Sequence, residues 1–519
     1  MIPTHPLVRK FSYFTEAFFY LLVLFGPWAL GTTQSWSIFT LSIGSGCFLI
    51  LAAILKFMNW YFTRHYHEEE ELSQKHSIWN WADWVFIILS ILCLLYVCIQ
   101  WLNAQSDYIF SEYRFIDFPF KEWLPSSTDK NYTLFYLYQY LGLFSAYLGA
   151  RLLFSIGSSH SVKTISPQIE RFFWVVLASA FILVIVGILM RLDKTPKLLW
   201  FVERRSEYSQ YLRHFGPFGY RSSAAQYLNL LWPLGISIWW VLRSHLERKG
   251  IPFVKTFMTH YLPLAIMSLF LFVGVWVAVS RGGVWIGSAV AILLSTIILF
   301  DAFSGKKKSL FLGLAIIIFI TAGTILGLKV LGKDAERLSD IESDPRIIQY
   351  MGSWPIYYDY PTYGVGAGSY ACMFELYAED QELPAGTIYP VAHSDWLQLL
   401  IEFGNVGTSL VVLLLIWGLI IPWISSRGSP LLRISFLLAF STALIHAVVD
   451  MPFYVLSISW IFVVLMAVYH SLPLYRKNSH SIVIRRKRKR RVIKSGESRN
   501  EINGSSSEGM VKTERPEAI

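Results

Sequence analysis

Runs of roughly 20 apolar residues, set apart by polar or charged segments, recur along almost the whole 519-residue chain, and a run of that length crosses a bilayer as a helix. They predict twelve spans, near residues 12–30, 36–57, 83–103, 133–155, 171–190, 222–242, 258–279, 284–302, 309–330, 397–421, 433–449 and 452–474. Helices must do the spanning, because the strands of a membrane barrel read as short alternating segments. The expected fold is an all-α polytopic membrane protein with about 12 transmembrane helices and one large, partly helical loop outside the membrane. The first run follows Arg9 and Lys10 without a small-residue cleavage site, which predicts a first span and not a removed signal peptide.

Composition narrows the class. Apolar residues make up 54% of the chain and charged ones 15%, against about a quarter charged in a soluble domain, so a soluble enzyme and a disordered chain are both excluded. An even number of spans puts both termini on one side. Most of the 45 basic residues fall inside if that side is the cytoplasm, as the Lys/Arg bias of cytoplasmic loops requires. His65 and His67, beside Glu68 to Glu71, then belong to a cytoplasmic loop. Residues 475–519 read as a disordered cytoplasmic tail whose basic run, Arg485 to Arg491, anchors topology or touches anionic headgroups; the net charge of +10 needs no nucleic acid. The four cysteines signal neither a disulfide framework nor a thiolate metal site.

Two outer segments depart from this pattern. Residues 191–221 hold Arg191, Lys194, Lys197, Arg204, Arg205, Arg213 and Arg221 on the face where few cations are expected, which points to an anionic ligand. Residues 331–396 form a loop far longer than an ordinary connection. Its aromatic residues, such as Trp354, Tyr358, Tyr363 and Trp396, argue for order; they can stack on sugars or lie in an interfacial aromatic belt.

Candidate chemistry gathers in the same places. Arg281, in Ser280-Arg281-Gly282-Gly283, stands at the outer membrane boundary, where an arginine is costly unless it pairs, faces a polar cavity or snorkels. Arg346 offers a planar fork for phosphate oxygens, or a salt bridge to Glu342 or Asp344. The run Gly364-Val365-Gly366-Ala367-Gly368 lacks the strand and Gly-Lys-Ser of a phosphate loop and predicts tight turns. His393 just precedes the tenth span, and an imidazole there can accept a proton from a hydroxyl, with Asp395 or Glu402 as possible supporting groups. Asp340, Glu342 and Asp344 allow a metal site, but a solvated acidic helix face suits them better.

Taken in order, Gly216-Pro217-Phe218-Gly219-Tyr220-Arg221 leading to Trp232-Pro233-Leu234, Ser280-Arg281-Gly282, Arg346, the glycine turn, His393-Ser394-Asp395-Trp396-Leu397-Gln398 with Glu402-Phe403-Gly404, and Asp450-Met451-Pro452 resemble the O-antigen ligase and polymerase superfamily of membrane glycosyltransferases. Ser394 stands where members commonly have asparagine. The resemblance divides the chain into N-terminal helices (1–190), a ligase-like membrane domain (191–474) with its periplasmic loop (331–396), and the tail. It implies transfer of a glycan from a polyprenyl-diphosphate carrier to an acceptor hydroxyl at the periplasmic face of the bacterial inner membrane, in one inverting step without metal or other cofactor. His393 would be the base, with Arg281, Arg346 and Arg221 on the diphosphate. The acceptor is a lipid, a glycan or a protein, so a polymerase or a protein O-oligosaccharyltransferase is the alternative within the family. A secondary transporter is the alternative from another class, though the chain shows no related halves. A scaffold of an envelope complex would leave Arg281 and His393 unexplained.

Overall fold

The structure, a computed structural model, describes residues 5–66, 81–156, 165–203, 212–248, 251, 255, 259–303, 346–377, 389–424 and 429–472. The ninth expected span, the basic tail, Asp340, Glu342, Asp344, Arg204, Arg205 and His67 lie outside these residues. Each of the other expected spans coincides with a helix: α1 (Pro6–Trp28), α2 (Ser35–Tyr66), α3 (Trp81–Leu102), α4 (Lys130–Ile156), α5 (Pro167–Asp193), α6 (Arg221–Arg248), α7 (Leu262–Val277), α8 (Arg281–Phe303), α11 (Asp395–Ile424), α12 (Pro430–Val449) and α13 (Leu456–Leu472). Two shorter helices, α9 (Arg346–Asp359) and α10 (Tyr370–Tyr377), lie between α8 and α11.

Among the described residues, six helices are long and apolar enough to cross a membrane: α2, α3, α5, α8, α11 and α12. Of the described helices that fall short of this, α7 and α13 are apolar but shorter, and the others carry polar or charged residues for a physical reason. α6 is buried on every side over most of its length and carries Ser222, Ser223, Gln226, Asn229 and Ser237. It faces protein, so bilayer-grade apolarity is not required of it. α1 and α4 carry charges that are paired: Glu16 with Arg171 at 2.7 Å, and Arg151 with Asp83 at 3.0 Å, as intramembrane ionisable groups must be. The outward faces of the bundle are apolar, with Leu92, Leu95, Ile292, Leu413 and Ile416 exposed.

α6 packs against α7 and α12, and α8 lies across both α6 and α12. Small residues permit that approach: a Cβ on Gly283 would stand 2.6 Å from Ala225 Cβ, and one on Gly287 2.7 Å from Asn229 Oδ1. Asn229 also donates to the Gly283 carbonyl at 2.9 Å.

The fold is not wholly α-helical. An antiparallel hairpin, β1 (Ser106–Ile109) and β2 (Arg114–Asp117), follows α3. It joins α9 and α10 in a layer whose own core contains Tyr108, Ile356, Val365, Tyr370, Phe374 and Ile401. The glycine run is the clasp between this layer and the bundle. α11 breaks at Gly404 (φ 58, ψ −169), a conformation that only glycine adopts readily. The backbone groups released there are taken up from the turn: Val365 N–H donates to the Ile401 carbonyl, Gly366 N–H to Glu402, and Asn405 N–H to Pro361. From α3, the Tyr96 hydroxyl donates to the Phe403 and Tyr363 carbonyls and the Gln100 amide to Glu402. Gly364 and Gly366 are left-handed and touch α11 and Ser127 so closely that no Cβ fits. A broken helix at this depth persists only because protein satisfies its backbone.

Candidate active site

Four chain segments meet at one end of the bundle: the starts of α6, α8 and α11 and the end of α12. Asp450, the residue that stops α12 in an extended conformation, lies at their centre and is buried. Ser222, in the first turn of α6, donates to Asp450 Oδ2 at 2.5 Å. The Met451 N–H donates to Oδ1 at 2.9 Å. Asp395 N–H, at the start of α11, donates to the Asp450 carbonyl at 3.2 Å. Arg346, at the described start of α9, reaches in from the layer formed by the hairpin, α9 and α10. Its guanidinium donates to the Val449 carbonyl at 2.6 Å and to the Tyr220 hydroxyl at 2.7 Å, and lies 3.5 Å from Asp450 Oδ2.

His393 approaches the same carboxylate from the other side. Its backbone is left-handed (φ 51), a conformation uncommon outside glycine and enriched in histidine. The Tyr350 hydroxyl holds its carbonyl at 2.8 Å. Nδ1 is buried and stands 3.9 Å from Asp450 Oδ1, while 29% of the side chain is open to solvent. That spacing is longer than a hydrogen bond. The Tyr220 ring lies beside the imidazole, centroids 6.3 Å apart.

The electrostatics are lopsided. Burial by itself pushes the Asp450 carboxyl up, but His393, Arg346, His446 and Ser222 outweigh it and hold the group well below the usual carboxylate range. It is therefore a fixed negative charge. Burial pushes the Tyr220 phenol well above its ordinary value, and nearby Asp450 adds to this, so Tyr220 remains a neutral donor. The starts of three helices present partial positive charge to this point, and only the end of α12 opposes them.

Other expected residues sit as follows. Arg281 opens α8, and its flanking residues place its backbone at this cluster: Ser280 Oγ is 3.0 Å from Ser222 Oγ, and a Cβ on Gly282 would meet His446 Nε2 at 2.7 Å. Arg221 opens α6 beside Tyr220, with one guanidinium nitrogen on the Leu212 carbonyl at 3.3 Å; Arg191 reaches that carbonyl at 3.1 Å. Asp395 and Glu402 are engaged away from the imidazole. Asp395 Oδ2 accepts from Phe453 N–H at 2.7 Å. Glu402 accepts from Gln398 at 2.9 Å and faces the N–H groups of Gly368 and Tyr370, so it serves the glycine clasp. Ser394 caps α11 through Leu397 N–H at 3.3 Å. Among the described residues no cluster of three or more His, Cys, Asp or Glu could hold a metal ion.

Sequence reasoning does not single out Asp450, Tyr220, Ser222 or His446 as site groups. The available signal was an acid closing an apolar run, and a histidine within one. His446 ties α12 to α6: Nε2 lies 3.1 Å from Ser222 Oγ and 3.7 Å from Asp450 Oδ2, and Nδ1 lies 2.8 Å from the Gln226 amide.

No curated protein matches the chain. Residues 264–412 match the family model described as O-Antigen ligase. The matched segment includes Arg281, Arg346 and His393; Tyr220, Ser222 and Asp450 lie outside it.

Proposed function

Taking the chain, on that match, as a member of the O-antigen ligase and polymerase-related superfamily, we propose that it transfers a glycan from a polyprenyl-diphosphate carrier to an acceptor hydroxyl at the periplasmic face of the inner membrane. The observation that carries this reading is the convergence of Arg346 and His393 on Asp450 at one end of the bundle.

In the proposed step His393 Nε2 takes the proton of the acceptor hydroxyl as that oxygen attacks the anomeric carbon. The bond from this carbon to the diphosphate oxygen breaks, and the lipid diphosphate leaves with the electron pair. Attack opposite the leaving group inverts the anomeric centre. Asp450 faces Nδ1, the imidazole nitrogen that does not take the proton, and stabilises the cation formed on the ring. Arg346, with Arg281 and Arg221 at the same rim, would take the charge that develops on the diphosphate. These guanidinium groups give the leaving group its counter-charge, so the transfer is expected to proceed without added metal.

The charged groups of the candidate site lie together at one end of the bundle, which favours transfer over a transporter's central site. Ligase, polymerase and protein transferase differ here only in the acceptor. Incubation of purified protein with a polyprenyl-diphosphate glycan and an acceptor, followed by NMR of the new linkage, tests the proposal. An inverted anomer is expected; a retained anomer would overturn the single-step mechanism, and absence of product with every acceptor class would overturn the function.

A further inference from the structure

Next to the His393–Asp450 cluster, and sharing Asp395 with it, lies a partly open cavity of about 340 Å³ lined mainly by α3, α4, α11 and α13, within the range of small-molecule sites. It is elongated. Its wall follows α4 from Tyr136 to Tyr147, a rise of about 16 Å along a helix axis. The deep part is apolar, with Phe86, Leu143, Leu415, Val463 and Met466. The end next to the cluster is polar, with Gln139, Asp395, Gln398, Glu402 and Tyr454. Among the described residues no lysine, arginine or histidine lines it.

That division of charge decides the occupant. A diphosphate or phosphate finds guanidinium groups around Asp450 and no counter-charge in this cavity. Carboxyl and amide groups suit the hydroxyls of a sugar, and the rings of Tyr136 and Trp396 suit its apolar faces. A narrow apolar shaft parallel to the helices suits one extended hydrocarbon chain.

We infer that this cavity binds an amphiphile with a single hydrocarbon chain and an uncharged, hydroxyl-bearing sugar head, and that it is the acceptor side of the reaction. Naming it the acceptor side rests on the proposed transfer; binding of the amphiphile does not. The chain lies along α4 and α11, and the head meets Gln139, Gln398 and Tyr454 at the end that adjoins Asp395. Donor and acceptor thus occupy different electrostatic environments, the one cationic and the other without cations, on either side of Asp395 and Asp450.

The test uses the full chain in lipid nanodiscs with two photoreactive probes: dodecyl β-glucoside and dodecyl diphosphate, each with a diazirine at the chain terminus. Cross-linked peptides are mapped by mass spectrometry. The glucoside is expected to label α4, α11 and α13 at the cavity wall, and the diphosphate is not. Filling the shaft with Leu415→Trp, or independently with Ser90→Phe, is expected to weaken glucoside labelling by about tenfold, the equivalent of losing the burial of about two methylenes. Gln139→Leu weakens it at the head end without filling the shaft. Equal or stronger labelling by the diphosphate, or glucoside labelling confined to lipid-facing surfaces and indifferent to both filling variants, would overturn the inference. Glucoside labelling in a protein that transfers no glycan would leave the binding site standing and remove the transfer reading.

Discussion

Replacing Asp450 with asparagine removes one negative charge from the centre of the site and keeps the side chain's shape. At the 3.9 Å that separates Asp450 Oδ1 from His393 Nδ1, a unit charge pair is worth roughly 4 kcal/mol at an effective dielectric of about 20. Asp450 contributes this stabilisation when the imidazole takes the acceptor's proton, and its full loss corresponds to about 10³-fold in kcat. Solvent over the 29% exposed side chain and the remaining amide dipole reduce the effect, so a fall of about 10²- to 10³-fold is expected. The change also deprives Arg346 of a carboxylate 3.5 Å away, leaving that guanidinium freer to engage a diphosphate. The expected signature is therefore a large drop in kcat with no rise in donor KM. It is read from initial rates of transfer of a labelled glycan, with matched thermal unfolding to show that the variant is folded. A folded Asp450→Asn protein with near wild-type kcat would refute Asp450 as the group that supports the imidazole.

Three further outcomes follow from the same structure. Arg346→Lys keeps the charge but loses the fork that spans Val449 and Tyr220, and is expected to raise donor KM by about tenfold; an unchanged KM in steady-state kinetics would remove Arg346 from the diphosphate. Gly404→Ala would place a Cβ 2.5 Å from Gly364 N and Thr362 O in a backbone conformation foreign to alanine, and is expected to cost about 1–3 kcal/mol or more, seen as a lower Tm and lost transfer; a wild-type Tm would show that the clasp is unstrained. Burial, with Asp107 nearby, raises the Asp129 carboxyl to about 7. The folded state thus binds more protons than the unfolded chain from about pH 4 to that value, and stability falls as pH rises through this window. Asp129→Asn keeps an acceptor for Tyr132 N–H, which donates to the carboxylate at 3.0 Å, so its stability relative to wild type should improve steadily in denaturation curves from pH 4 to pH 8; a pH-independent difference would contradict the assignment.

The helical framework is legible in the sequence wherever a segment faces lipid, because bilayer thickness imposes a length and an apolarity that no neighbour supplies. It is less legible in α6, whose polar residues face other helices, and illegible in the hairpin at Ser106–Asp117, whose four-residue strands give almost no alternation to read. The site divides in the same way. Arg281 and His393 stand out because ionisable residues at a membrane boundary demand explanation, and Arg346 because its guanidinium lies in a loop too long to be a mere connection. Asp450 does not, because its meaning depends on the turn that returns the end of α12 to the start of α11, through the bond from Asp395 N–H to the Asp450 carbonyl. Glu402 looks available for chemistry in the sequence, yet the break at Gly404 brings the glycine turn onto it.

The most direct test is transfer of a polyprenyl-diphosphate-linked glycan by purified wild-type protein and by His393→Ala, each with and without chelator. The account predicts transfer by the wild type that chelator leaves unchanged and that the substitution abolishes. Transfer that survives in His393→Ala, or that stops when divalent cations are removed, would contradict it.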